Sequence, residues 1–356
     1  MYAFISDIHL GTKLPKMDYL KSLNEILGII KNNKEECHAI FICGDLFDHR
    51  LSIEESKFAS IFLLNLVCNN CGRGNVKHVP VKFIHGTFSH DYDQYDIYLS
   101  ILNKIDNVNI FYTKDICSST LTNEAKVLYL PQLYGDIDYT KALSDKYDII
   151  VGHGVISSQT KNPCPASTYD TILPTEKLGE ISKICVFGHY HDYTDFGNNV
   201  YYSGSMLRWK YGEDVDKVFF ICNDNFEVET IKNPFAKEYK TININDPETL
   251  RENISNDIET PHRFIINANK SDLTTYHAIM NMTKKNTNIT YKIHTTKEDE
   301  DIKDEKNQLT NDISSNVIEP IPALVSYIND KYNIDVTDEI KDYETKINRD
   351  KDLKEN

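Results

Sequence analysis

Five short segments of this sequence set carboxylates and imidazoles side by side: Asp7-Ile-His9, Asp45-Leu-Phe-Asp48-His49, His90-Asp91, Gly-His153-Gly and His189-Tyr-His191. Carboxylate oxygen and imidazole nitrogen without thiolate form a donor set for borderline or hard divalent ions such as Mn²⁺, Fe²⁺ or Zn²⁺. Taken singly, each segment has an ordinary alternative. Asp-x-His after a strand is more often a helix cap or a surface pair, and Gly-His-x-His serves equally well as a turn with solvated rings. Together they offer more donors than one ion uses, and two ions sharing Asp45 is the economical arrangement.

Each segment must be positioned by the element before it, and each follows an apolar run. Residues 2–5, 39–43, 79–84, 147–151 and 183–187 read as strands, and an apolar run such as Ala39–Cys43, bounded by a glycine, is what a strand buried on both faces looks like. The rim beyond the carboxyl ends of such strands is where open α/β sheets bind ligands. Helical spacing separates them, with apolar residues at Tyr19, Leu23, Ile26, Leu27 and Ile30, then over 52–66 and 94–105, before a strand at 108–112. The alternation predicts a layered α/β domain with a largely parallel sheet. Further strands are expected at 126–130, 199–202, 218–222 and 226–231, the last two joined by the hairpin turn Asn223-Asp-Asn225.

This main domain is expected to span residues 1–235. Residues 236–296 read strand, helix, strand, helix, strand, a small α+β unit. A charged, aromatic-free stretch opens the expected flexible linker, 297–316. Beyond it, 317–356 reads as helices in which Ile321, Leu324, Val325, Ile328 and Tyr332 share one face. Two short helices have no core of their own, so that stripe is expected to dock on a partner.

The chain of 356 residues carries 39 Lys and Arg against 54 Asp and Glu, a formal charge of −15. A protein that simply coats DNA needs the opposite balance, whereas bound divalent ions can offset carboxylates locally in an enzyme acting on phosphates. Met1-Tyr2 leads straight into a strand, so no signal peptide is expected, and the apolar stretch at 61–68 is too short to span a bilayer. The expectation is a soluble, cytoplasmic protein without a membrane partner. Of eight cysteines, Cys43, Cys185 and Cys222 lie in apolar runs as buried free thiols would, and Cys68-Asn-Asn-Cys71 lacks the second pair of a zinc site.

The ordered series Asp-x-His, Gly-Asp-x-x-Asp, His-Asp, Gly-His and Gly-His-x-His resembles the calcineurin-like metallophosphoesterase superfamily over residues 1–235. Within it, Gly44-Asp-Leu-Phe-Asp-His49 and Tyr202-Ser-Gly-Ser-Met-Leu-Arg-Trp-Lys-Tyr-Gly-Glu213 resemble the SbcD branch, the DNA double-strand-break-repair nucleases with phage recombination endonucleases among them. That resemblance implies a layered metallophosphoesterase fold of sheets sandwiched by helices, with a small capping domain and C-terminal helices that dock on an SMC-like ATPase. It also implies a homodimer, and a Mn²⁺-dependent exonuclease and endonuclease acting in recombination and repair, in the host cytoplasm if phage-encoded. Carried over by position, it puts Asp7, His9 and His191 on one ion and His153 and His189 on a second, with Asp45 bridging. His90 corresponds to the histidine that protonates the leaving oxygen and His49 to a second phosphate-site histidine, with Asp48 and Asp91 orienting their neighbours. One departure stands out. The family reads Gly-Asn-His-Asp, whose Asn holds the second ion, and here the segment is Gly86-Thr-Phe-Ser-His-Asp91. Aligned on His-Asp, Ser89 takes the Asn place; aligned on Gly86, Thr87 does; His85 is a third candidate. Ser89 is the favoured reading, and a hydroxyl there predicts a weaker or more selective second site.

Overall fold

In the computed structural model the described residues are 1–68, 78–134, 137–158, 171–254, 262–286 and 288–295. The chain divides into two compact units, Met1–His294 and Thr295–Asn356. The linker and helices expected over 297–356, and Cys71, lie outside the described residues.

The first unit opens with β1 (Tyr2–Ile5), α1 (Lys16–Asn32), β2 (Ala39–Cys43), α2 (Ile53–Cys68), β3 (Val81–Ile84), α3 (Phe88–Asp91), α4 (Tyr95–Leu102) and β4 (Ile110–Thr113). It continues with β5 (Cys117–Thr120), β6 (Lys126–Leu130), β7 (Tyr147–His153), β8 (Ile156–Ser157), β9 (Leu173–Pro174), α5 (Thr175–Ile181) and β10 (Ser182–Gly188). There follow β11 (Thr194–Gly197), β12 (Val200–Tyr202), β13 (Val218–Cys222) and β14 (Val228–Lys232). The last elements are β15 (Lys240–Ile244), α6 (Pro247–Asn253), β16 (His262–Ala268), α7 (Leu273–Met282) and β17 (Ile289–Thr295).

The strand–helix alternation indicated a largely parallel sheet and the family resemblance several sheets between helices; two six-stranded sheets form, ordered β14-β13-β1-β2-β3-β4 and β11-β12-β10-β7-β6-β5. In the first sheet β1 to β4 run parallel and β13 and β14 add antiparallel at one edge; in the second, β12, β10, β7 and β6 run parallel between the antiparallel edge strands β11 and β5. Side-chain alternation builds the layers. Tyr2 and Phe4 of β1 and Phe41 and Cys43 of β2 share a core with Tyr129, Val151 and Val186 of the other sheet. Ala3, Ile5, Ile40 and Ile42 point the other way, against Leu23, Ile26 and Ile30 of α1 and Phe62 and Leu66 of α2. Leu178 and Ile181 of α5 cover the outer face of the second sheet with Ile150 and Cys185. The result is a layered α/β fold in which two sheets face each other between helices. The short elements α3, β8 and β9 were not expected from the sequence, and neither were α5, β5 and β11; Cys117–Thr120 and Thr194–Gly197 alternate half-buried with exposed residues and carry no apolar run.

The small unit forms a three-stranded sheet, β15-β16-β17, around Ile244, Leu250, Phe264, Tyr276 and Ile279. Asp246 caps α6 by accepting the Thr249 N–H at 2.8 Å, with Pro247 at the first helical position.

Candidate metal centre

The chemistry-bearing residues sit where strands stop. Asp7 and His9 follow β1, Asp45 follows β2, Thr87 and His90 follow β3, His153 ends β7 and His189 follows β10. The first three strands are neighbours in one sheet and the last two in the other, so five strand ends meet at one rim. The backbone bends sharply there, with φ of +47° at Asp7, +51° at His9, +47° at Asp45 and +100° at His189. Left-handed backbone at non-glycine residues persists only where packing over-determines it, a pattern that clusters at functional sites. Gly44 carries φ +80°, and a Cβ on it would stand 2.2 Å from His153 Nδ1, so only glycine allows Asp45 and His153 to approach.

Among the described residues three sets of side chains bring potential ligand atoms within 4.8 Å of one another: Asp7, His9 and His191; Asp45, His153 and His189; and His9, Asp48 and His90. In the first set, His9 Nε2 and His191 Nε2 are 3.2 Å apart, and His191 Nε2 is 3.8 Å from Asp7 Oδ1. The Asp7 carboxylate also accepts the His189 N–H at 3.0 Å, tying the end of β1 to that of β10. Behind the ring, His191 Nδ1 lies 3.1 Å from the buried Glu213 carboxylate, which accepts its proton, and the Trp209 indole nitrogen abuts the same edge of the ring. Lys217, itself buried, is 3.1 Å from Glu213 and donates to the His191 carbonyl at 2.7 Å. A carboxylate behind an imidazole turns the far nitrogen outward as a donor.

Asp45 stands between the sets. One of its oxygens is 3.3 Å from His153 Nε2 and the other 3.9 Å from His9 Nε2. His153 Nδ1 donates to the Cys43 carbonyl at 2.7 Å, which leaves Nε2 facing Asp45. The Thr87 N–H donates to Asp45 at 2.5 Å, and the Thr87 hydroxyl lies 3.1 Å from Asp45 Oδ2, 2.9 Å from Gln132 Oε1 and 3.5 Å from His153 Nε2. Ser89 is exposed on α3. The place beside Asp45 thus belongs to Thr87 and not to Ser89, because α3 begins directly after Thr87 and takes up the two extra residues of the loop. His85 is turned elsewhere, its ring nitrogens 3.0 Å and 2.8 Å from the carbonyls of Gly86 and Tyr92.

In the third set, His90 Nδ1 is 2.6 Å from the Asp48 carbonyl and its ring meets His9 edge-on at 4.9 Å. The Asp48 carboxylate lies 3.5 Å from His9 Nδ1 and 3.0 Å from His49 Nδ1. His49 is half-buried, outside all three sets, with Nε2 3.4 Å from Glu55. Asp91 is fully buried and accepts N–H groups from Phe47 at 3.1 Å and Gly86 at 2.7 Å, pinning the loops after β2 and β3 together.

Burial alone would raise the carboxyl of Asp45, but His153, then His9 and His90, hold it well below the usual carboxylate range. Burial alone would lower His153, and Asp45 and Asp7 outweigh it, pushing the ring up to about 9. Burial, and then the charge of Asp45, pushes Asp91 up to about 6. Buried carboxylates interleaved with imidazoles and a hydroxyl, without thiolate, suit divalent cations of hard or borderline character. Sequence reasoning passed over Gln132, Trp209 and Lys217. Trp209 and Glu213 fall inside the quoted segment ending at Glu213, which was their one signal.

This donor cluster, at the common rim of facing sheets, can hold divalent ions and so serve a metal-dependent hydrolase. The model of the calcineurin-like phosphoesterase family matches residues 2–193, more than half of the chain, which belongs to that family. No match is found among curated proteins. Among the described residues no helix is long and apolar enough to cross a membrane.

Proposed function

We propose that this chain is the nuclease subunit of an SbcCD-like recombination and repair complex, a Mn²⁺-dependent DNA exonuclease and endonuclease. The observation that supports it best is the position of Glu213. The segment 202–213, through which the sequence resembles the SbcD branch, ends on a buried carboxylate 3.1 Å behind His191. That branch signature is therefore part of the centre and not of a distant loop.

In this reading Asp7, His9 and His191 hold one ion and His153, His189 and Thr87 another, with Asp45 serving both. When bound, such a pair supplies a water of lowered pKa and neutralises charge on the phosphate. The chain's own residues do the rest. Asp48, through its carbonyl, accepts the Nδ1 proton of His90, so it is from the imidazolium form that Nε2 would give its proton to the leaving oxygen, leaving the neutral Nδ1–H ring. Asp48 also steadies His9 through its carboxylate. His49 meets the phosphate backbone from the outer side of Asp48. Residues 317–356 dock on an SMC-like ATPase.

The test offers duplexes with free and blocked ends, beside a simple aryl phosphodiester, in Mn²⁺, Mg²⁺ or Zn²⁺. Mn²⁺-dependent cleavage of the duplexes is expected. Turnover of the aryl ester with no cleavage of DNA would make the chain a general phosphodiesterase.

A further inference from the structure

Trp209 is the one tryptophan in the chain. It is half-buried, and it serves neither sheet core. Its ring lies 4.6 Å from that of His9 and 4.8 Å from that of His191, and its indole nitrogen abuts His191 Nδ1. Two residues on, Tyr211 is clamped by the small α+β unit: the Arg263 guanidinium sits 3.9 Å over its ring, and Thr290 donates to its hydroxyl at 3.2 Å. Between them Lys210 is exposed, with Nζ 5.5 Å from the Trp209 ring centre. The loop is therefore fixed at both ends and presents a rigid, partly open indole at the edge of a phosphate-cleaving centre, with cations alongside.

A flat aromatic surface beside a phosphate site matches a ligand that has a flat ring one sugar away from its phosphate. We propose that Trp209 is a specificity residue, on which the nucleobase next to the scissile phosphate stacks. Lys210 and Arg263 lie along the path of the strand from the centre towards the small unit. Stacking of this kind favours an unpaired base and tolerates any of the four, since each has a π face. The loop's tethers suit it, because an indole already held in place loses little freedom when a base settles on it. This inference rests on the nuclease reading and names the feature of the substrate that the centre selects.

The experiment compares single-stranded oligonucleotides carrying either thymidine or an abasic residue beside the labelled phosphate. Wild-type protein is expected to favour thymidine by roughly tenfold in kcat/KM, the scale of one stacked base. Trp209→Phe should keep most of that ratio and Trp209→Ala should bring it close to one. A role confined to holding His191 would lower both substrates together in both variants and leave the ratio at its wild-type value, which overturns the proposal. In EDTA the fluorescence of Trp209 provides a readout independent of turnover. Quenching by the thymidine strand but not by one made wholly of abasic residues supports stacking, and equal response to both overturns it. If the fluorescence discriminates while no DNA is cut, the nuclease reading fails and the stacking surface stands.

Discussion

The Thr87 hydroxyl lies 3.1 Å from Asp45 Oδ2 and 3.5 Å from His153 Nε2, so a neutral side chain joins the junction between two sets of ionisable donors. A hydroxyl is a weaker donor to a divalent ion than an amide oxygen, and in the proposed two-ion reading Thr87→Asn is expected to tighten Mn²⁺ binding beside Asp45 by about tenfold. Thr87→Val should weaken it by a similar factor, the scale on which loss of a supporting group at a metal site is felt. Ser89→Ala should change neither. Titration of metal-free protein with Mn²⁺, followed by the loss of free-ion paramagnetic resonance, checks all three.

His90 is positioned by backbone rather than by another charge, since its Nδ1 meets the Asp48 carbonyl. His90→Ala is expected to lower kcat by about 10²–10⁴, the range for loss of a general acid. Metal stoichiometry should remain that of the wild type. Single-turnover rates combined with elemental analysis separate the two effects, and loss of metal would place His90 among the ligands instead.

The raised pKa of His153 makes metal uptake depend on pH. Between about 6.5, its unfolded value, and about 9, the metal-free folded protein keeps a proton on this ring that the unfolded chain has released. The stabilisation from the His153–Asp45 pair is therefore complete below the unfolded pKa and is lost as pH rises through about 9. An ion at that position must displace the proton. Mn²⁺ affinity is expected to rise with pH across this window, with about one proton released per second-site ion, as measured by calorimetry in buffers of different ionisation heat.

Helices α2 and α4 leave Ile53, Ile97 and Ile101 exposed by 78%, 63% and 57%, and all three line one groove with Tyr98. Large aliphatic residues left open and contiguous mark an interaction surface. For the homodimer implied by the family resemblance, this groove is our proposed interface. Ile97→Glu combined with Ile101→Glu should halve the mass seen by light scattering at micromolar concentration without altering the circular dichroism. An unchanged dimer would move the interface elsewhere.

Much of the centre was legible because its chemistry is local. Asp7, His9, Asp45, His153, His189 and His191 each follow an apolar run, and a buried strand delivers whatever follows it to the rim of its sheet. The helix stripe Tyr19, Leu23, Ile26, Leu27 and Ile30 was legible for the same reason, since its period alone specifies which face is buried. What tertiary structure decided are the matters of partnership. Periodicity reports that Val218–Cys222 is buried, not that it pairs antiparallel with β1, and so it could not separate one sheet from two. Nor could spacing choose between Thr87 and Ser89, which stand equally near the motif along the chain. The choice was made by Gly86, where a Cβ would stand 2.2 Å from the Asp45 N: the two loops abut at that glycine, and the residue immediately after it meets the Asp45 carboxylate.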